Sequence, residues 1–166
     1  MSGTITNWSG GQLLHIHTAP AASYEMEEHQ EARLIAGKGI EGDRYLLGTG
    51  TYSPKPDVRD VTLIEIEALE ALARNDPPLQ GGPIILKPID HRRNLTTRGV
   101  PLNHLVGKRF RVGDVILEGG RLNFPCKYLE ELLGQPLYLP LYNRSGLNCR
   151  IINGGVIRVG DPIEPV

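Results

Sequence analysis

The chain is poor in cysteine and in large aromatics, with two Cys, one Trp and two Phe among 166 residues. Two cysteines 23 residues apart, Cys126 and Cys149, do not make a disulfide framework. No pair of Cys-x-x-Cys knuckles offers a structural zinc site, so a reducing cytoplasm is expected. Long apolar runs are missing too: nowhere do about 18 apolar residues stand together. The opening MSGTITNWSGGQLLHIHTAP has no basic region followed by an apolar stretch. These absences predict an unexported protein with no membrane role. A surplus of charge is also lacking. With 18 basic and 19 acidic residues the formal charge is -1, so no global field draws the chain to nucleic acid, and any anion site must be local.

What is present is punctuation. Twenty glycines and 13 prolines separate short apolar runs, the signature of a mainly β domain whose strands turn over about every ten residues. Strands are expected at Gln12–Thr18, Glu31–Ala36, Val61–Ile64, Pro83–Ile89, Arg109–Val112, Val115–Leu117, Val156–Val159 and Pro162–Pro165. The dipeptides Gly113-Asp114 and Gly160-Asp161 predict two tight hairpins. Apolar Ile66, Leu69 and Leu72 at helical spacing predict a helix over Glu65–Arg74, stopped by Asn75-Asp76-Pro77-Pro78. One helical turn is expected over Leu102–Val106. Residues Gly48–Asp60 have no periodicity and read as a surface loop and candidate lid. Together these predict one domain over residues 1–166, with a core from about 10 to 165, built as a closed or partly closed β-barrel with a few short helices.

Three stretches carry candidate chemistry. In RLNFPCKYLEELLG, Cys126 heads a short amphipathic segment, beside Lys127 and after Pro125. A thiolate is favoured near a helix start and near cations. A free cysteine is also among the most buried residue types, and the local pattern alone leans to a core residue. In HRRNLTTRG, Arg92 and Arg93 offer forked donors suited to phosphate, while Asn94, Thr96 and Thr97 add neutral donors and acceptors. On a strand, Arg92, Asn94 and Thr96 would share one face and Arg93, Leu95 and Thr97 the other. A solvated strand edge is the alternative. The glycine turn in GIEGDRY lacks the Lys-Ser/Thr ending of a phosphate loop and reads as a charged turn held by Asp43 or Arg44. His15 and His17 share a strand face, but no carboxylate or thiol stands near them in sequence, so no metal is assigned. Cys149 reads as a small buried strand residue.

Taken in order, GKGIEGDRY, VTLIEIEAL, RRNLTTRGVPLNHLVGKRFRVGDVILEG, PCKYLEELLG and GVIRVGDPI resemble the MOSC family, named for the C-terminal domain of molybdenum-cofactor sulfurases. The match is most like its short stand-alone bacterial members. The resemblance implies a β-barrel fold of the pyruvate-kinase barrel type. It makes Cys126 the signature cysteine, a sulfur carrier in some members and a molybdenum ligand in others. It also implies that Arg92 and Asn94, with Thr96, Arg93 and Lys127 nearby, hold the phosphate of a molybdopterin, and it associates the chain with pyridoxal phosphate binding. Implied partners are a cysteine desulfurase or a redox protein, with a small anion or pterin as ligand. Two departures stand out. Cofactor-binding relatives carry an additional N-terminal barrel domain for which 166 residues leave no room, and Asn123 stands where many short members have a second cysteine. A non-catalytic binding or sensor module is therefore the other expectation.

Overall fold

The computed structural model describes residues 8–76, 78, 81–125 and 127–166. Residues 1–7 of the opening stretch, Pro77 of the expected helix stop and Cys126 itself lie outside the described residues. Among the described residues eleven strands and three short helices make up the fold: β1 (Gly11–Thr18), β2 (Glu27–His29), β3 (Glu31–Ile35), β4 (Gly39–Ile40), α1 (Arg44–Leu47), β5 (Val61–Glu65), α2 (Ile66–Arg74), β6 (Leu95–Arg98), β7 (Arg109–Val112), β8 (Val115–Leu122), α3 (Lys127–Leu133), β9 (Leu147–Asn153), β10 (Gly155–Arg158) and β11 (Pro162–Pro165). A 3-10 turn covers Leu102–His104.

Seven strands close a barrel in the order β11, β7, β8, β9, β5, β6, β1, with β1 returning to β11 through Gly11 opposite Ile163. Closure leaves no long unpaired edge. Strand β2 adds to the outside of β1, and β10, β3 and β4 form a separate small sheet. Neighbours in the barrel run antiparallel except β5 and β6, which are parallel and therefore need a crossover, supplied by α2. The barrel interior is filled by fully buried Leu13, Ile16, Leu63, Leu95, Phe110 and Leu117. A second apolar cluster lies where Leu69 and Leu72 of α2 meet Ile84, Leu86, Leu129 and Leu137. Among the described residues no helix is long and apolar enough to cross a membrane.

Local chemistry explains most of these elements. In β1, Leu13 and Ile16 are both buried although three residues apart, which strict alternation forbids. The ladder to β6 slips between Leu13 and His15, leaving Leu14 as the extra residue of a β-bulge. The bulge turns Ile16 back into the core and puts His15 and His17 on the other face. The β7–β8 hairpin turns at Gly113, with φ of 56° and Val112 paired to Val115, as expected for a two-residue loop. Helix α2 ends at Asn75, left-handed at φ 57° and donating its N–H to the carbonyls of Ala71 and Leu72.

Two expected elements differ. Pro83–Ile89 has Ile84 and Leu86 buried and Ile85 exposed, but it joins no ladder and its end turns at residues 88–90. Pro83 and Pro88 lack donors, and the segment packs on α2, with Ile84 N–H donating to the Leu72 carbonyl at 3.0 Å. The Gly160-Asp161 turn forms, closed by Asp161 N–H to Arg158 O at 3.0 Å, yet it is no hairpin. Its flanking strands diverge, β10 to β3 and β11 to β7 and β1. The turn instead grips β1, through Leu13 N–H to Asp161 O at 3.0 Å and Gly160 N–H to Leu13 O at 2.8 Å.

Glu65, at the β5–α2 junction, gives the fold a pH dependence. Burial and the neighbouring Glu67 raise its carboxyl to about 7, against an opposing Leu102 N–H hydrogen bond. A carboxyl raised on folding binds its proton more tightly in the native state. Its contribution is therefore fully favourable below the unfolded value, near 4.5, and is lost as pH rises through about 7. Glu65→Gln should leave stability nearly unchanged at acid pH. At pH 8 it should raise stability on the order of 1–2 kcal/mol, discounted for partial exposure, read as the pH-dependent difference in urea midpoint.

Candidate functional site

The segment His91–Thr97 is buried at every residue, which removes the solvated-edge alternative. It is held by its own side chains. His91 accepts the Arg93 N–H at Nδ1 (2.8 Å), which assigns its proton to Nε2 facing Thr96 Oγ1 at 2.7 Å. Burial, with Arg93 and His17 nearby, keeps this imidazole well below its ordinary value, so it is neutral. Asn94 accepts from the Thr62 N–H (3.0 Å) and the Thr62 hydroxyl (3.1 Å) and donates to His17 O (3.1 Å). Asn94 and Thr96 thus tie β6 to β5, β1 and His91.

The expected shared face of Arg92, Asn94 and Thr96 is not what forms. Strand β6 begins only at Leu95, and Arg92 sits in the left-handed region at φ 65°. That conformation is unfavourable for a residue with a Cβ, and it breaks the alternation, so Arg92 and Arg93 line the same cavity. The cavity is about 400 Å³, within the usual range for small-molecule sites. Its walls carry six cationic side chains, Arg44, Lys55, Arg59, Arg92, Arg93 and Arg121, against one carboxylate, Asp57. In a chain of formal charge -1, this is a concentrated local positive field. Asn94, Thr96 and Lys127 do not line it.

Each arginine is placed by a different device. Arg93 donates to Ser145 O (2.9 Å), Ser145 Oγ (2.8 Å) and His91 O (3.1 Å). Arg121 donates to Asp57 from Nε, shared between Oδ1 (3.0 Å) and Oδ2 (2.9 Å), and from Nη2 to Oδ2, and this hydrogen bonding pulls the Asp57 carboxyl down to about 2. Asp57 is therefore ionised throughout the physiological range. The Gly48–Asp60 loop forms one wall, through Thr51, Tyr52, Lys55, Pro56, Asp57 and Arg59. Arg44, the first residue of α1, donates to Asp43 (3.0 Å), Arg92 O (2.8 Å) and Tyr45 (3.3 Å). Fully buried Asp43 in turn caps α1 by accepting the Tyr45 N–H at 3.2 Å and takes the Ala19 N–H at 3.1 Å. The charged turn expected at GIEGDRY is present, and both Asp43 and Arg44 hold it.

Arg92 is the exception among these arginines. Only 8% exposed, it donates from Nη1 to Tyr24 O at 2.8 Å, but its buried Nη2 has no partner among the described residues. Burial first, then the Arg44 charge, lowers its guanidinium below the ordinary range. A buried cation with an orphaned donor is costly unless an acceptor arrives. The cavity wall also includes Asn123, Phe124 and Pro125 before position 126, and Tyr128 and Leu129 of α3 after it. Burial alone would raise the Tyr128 phenol, but hydrogen bonds with Ser23 and Thr51 and the Arg92 charge outweigh it and lower it. Cys149 is buried in β9, and burial pushes its thiol far above the ordinary value.

Arg44, Arg59, Arg121 and Ser145 escaped the sequence reading as parts of this site. Only Arg44 left a signal, an arginine beside an N-capping Asp; Arg59 and Arg121 reach the cavity from a separate loop and strand, and Ser145 acts by holding Arg93.

A family model, the MOSC domain, matches residues 55–164. No curated protein matches the chain. Among solved structures, the YuaD protein of Bacillus subtilis superposes with a TM-score of 0.76 at 22% identity, over 95% of this chain and 97% of that one. YiiM of Geobacillus stearothermophilus gives 0.69 at 15% identity over 94% and 75%, and YiiM of Escherichia coli 0.67 at 20% over 95% and 69%. At these identities the structures are alike in fold. The family model spans well over half the sequence, and the chain belongs to the MOSC domain family, that of the molybdenum-cofactor sulfurase C-terminal domain.

Proposed function

We propose that the protein binds a phosphate-bearing ligand of the molybdopterin type in the arginine cavity and handles sulfur or metal there through Cys126. The observation that carries this reading is the orphaned Arg92 Nη2 in a buried, strained residue at a cationic cavity. Backbone strain and repulsion between guanidiniums are retained where they serve binding, and a phosphate oxygen would relieve both the missing hydrogen bond and the charge excess. The donor set fits the group, with one change from the family pattern: the Asn94 amide is committed within the barrel wall, and Arg93 beside Arg92 supplies charge in its place.

Within this reading Arg92 binds the phosphate, Arg93 and Arg44 supply charge, and the Gly48–Asp60 loop limits access of water. Cys126 follows Pro125 and precedes α3, both of which contribute to the cavity wall. Its thiolate is the soft donor that suits molybdenum or a carried sulfur atom, and Lys127 beside it in sequence favours the thiolate. A bound cofactor would supply the redox chemistry that these side chains lack. A carried sulfur atom would come from a cysteine desulfurase, which makes such an enzyme the proposed partner.

The test is to purify the protein from cells that make the cofactor and measure molybdenum, released pterin and cyanolysable sulfur for wild type and Cys126→Ser. Wild type should carry pterin with molybdenum or labile sulfur, and Cys126→Ser should lose the metal or sulfur. Absence of all three from the wild type would overturn the reading, and retention of all three by Cys126→Ser would leave a binding module. Thiol labelling of the folded protein gives an independent check: buried Cys149 should stay silent until unfolding, so labelling near neutral pH reports Cys126 alone.

A further inference from the structure

A second cluster stands apart from the arginine cavity. The bulge in β1 sends His15 and His17 to the outer face, and the β1–β2 register puts Glu28 directly opposite His17. Glu28 Oε1 lies 2.7 Å from His15 Nδ1 and 3.3 Å from His17 Nε2. The candidate ligand atoms of the three residues all lie within 4.8 Å of one another, and none of the three lines the arginine cavity. Sequence alone offered two histidines without a carboxylate; the strand pairing supplies it.

From this arrangement we propose that His15, His17 and Glu28 form a binding site for a divalent first-row transition cation of the zinc type. Two imidazoles and a carboxylate are a known donor set for such ions. Donors about 2.0–2.2 Å from a tetrahedral ion lie roughly 3.3 Å apart, so the Glu28–His17 contact already has that spacing and the Glu28–His15 contact needs to open only slightly. The second observation is His17 itself. It is 1% exposed, yet neither ring nitrogen has a hydrogen-bond partner among the described residues; Glu28, though within ion-pair distance, does not meet hydrogen-bonding geometry. A bare buried imidazole is unusual, and a cation would satisfy it. The rings of His15 and His17 stack at 5.8 Å between centroids and 14° between planes.

Nearby groups do not compete. Both nitrogens of His91 are engaged, by Arg93 N–H and Thr96, and His29 Nε2 bonds Thr18 Oγ1 at 2.7 Å. Burial is the largest influence on His17 and lowers it, which favours the neutral form that binds metal. Three protein donors leave at least one position open, and His15 and Glu28 are partly exposed, so that position faces water as in sites that keep an exchangeable ligand.

The probes are Zn2+ alone, by equilibrium dialysis, and Co2+ alone, by its visible absorption, on full-length wild type and Cys126→Ser. One equivalent per chain should bind in both proteins. His15→Ala and Glu28→Gln, at partly exposed positions, should each weaken binding by at least about tenfold while circular dichroism stays native. His17→Gln should abolish binding if it folds, but the two exposed variants suffice. Failure to bind one equivalent, equal binding by His15→Ala and Glu28→Gln, or loss of binding in Cys126→Ser alone would each overturn the site.

Discussion

Arg92→Ala should weaken binding of a phosphate monoester to the cavity by about 10- to 100-fold, the loss associated with a charge-assisted hydrogen bond to a buried group. Pyridoxal phosphate is a convenient ligand, because the arginines read the phosphate and not the ring. Arg92→Lys should fall between wild type and alanine, since a lysine keeps the charge but loses the fork. Arg98→Ala removes a surface arginine paired with Glu70 and should bind as wild type. The backbone adds a second, opposite signature. At φ 65° glycine is unstrained while alanine is not, so Arg92→Gly should be about 1 kcal/mol more stable than Arg92→Ala, yet bind no better. Isothermal titration and urea denaturation on the same proteins separate the two effects.

Arg44→Ala should be the most damaging single change to the fold, costing about 3–5 kcal/mol. It strips the partner from fully buried Asp43, with which Arg44 forms a 3.0 Å ion pair, and a lone buried carboxylate is far costlier than the pair. It also removes the donor to Arg92 O, so phosphate binding should fall although Arg92 is intact. The double variant Asp43→Asn/Arg44→Met should recover part of the stability, because the uncompensated charge is gone and asparagine still caps α1. Recovery of stability without recovery of binding would show that Arg44 positions Arg92 apart from its part in the fold.

The barrel, helix α2 and the β7–β8 hairpin were legible because each follows from a local rule: turn residues at fixed spacing, a 3.6-residue period, and Gly113 at a two-residue loop. The differences share one cause. Gly160-Asp161 has the same turn chemistry as Gly113-Asp114, but partner choice across the barrel, absent from any local window, sends its strands to different sheets. Pro83–Ile89 alternates like a strand, but it has no neighbour to pair with and prolines that cannot donate. At the site, the arginine pair was visible as an anion signal, whereas its facing set was not. A left-handed arginine is not written in HRRNLTTRG; its carbonyl is held by Arg44, 48 residues away in sequence. Likewise Glu28 joins His15 and His17 only through the β1–β2 register, in a polar stretch with no periodicity of its own. Asn94 reads in sequence as a ligand donor, and the same hydrogen-bonding capacity instead fastens three strands together.

The most direct test of the central claim is a crystal structure of the protein soaked with a phosphorylated pterin, or with inorganic phosphate as its minimal analogue. The account predicts a phosphate oxygen about 3 Å from Arg92 Nη2, with Arg93 still bonded to Ser145 and Arg92 still at positive φ. Phosphate bound elsewhere with Arg92 Nη2 left bare, or a cavity that stays free of phosphate at saturating concentration, would contradict it.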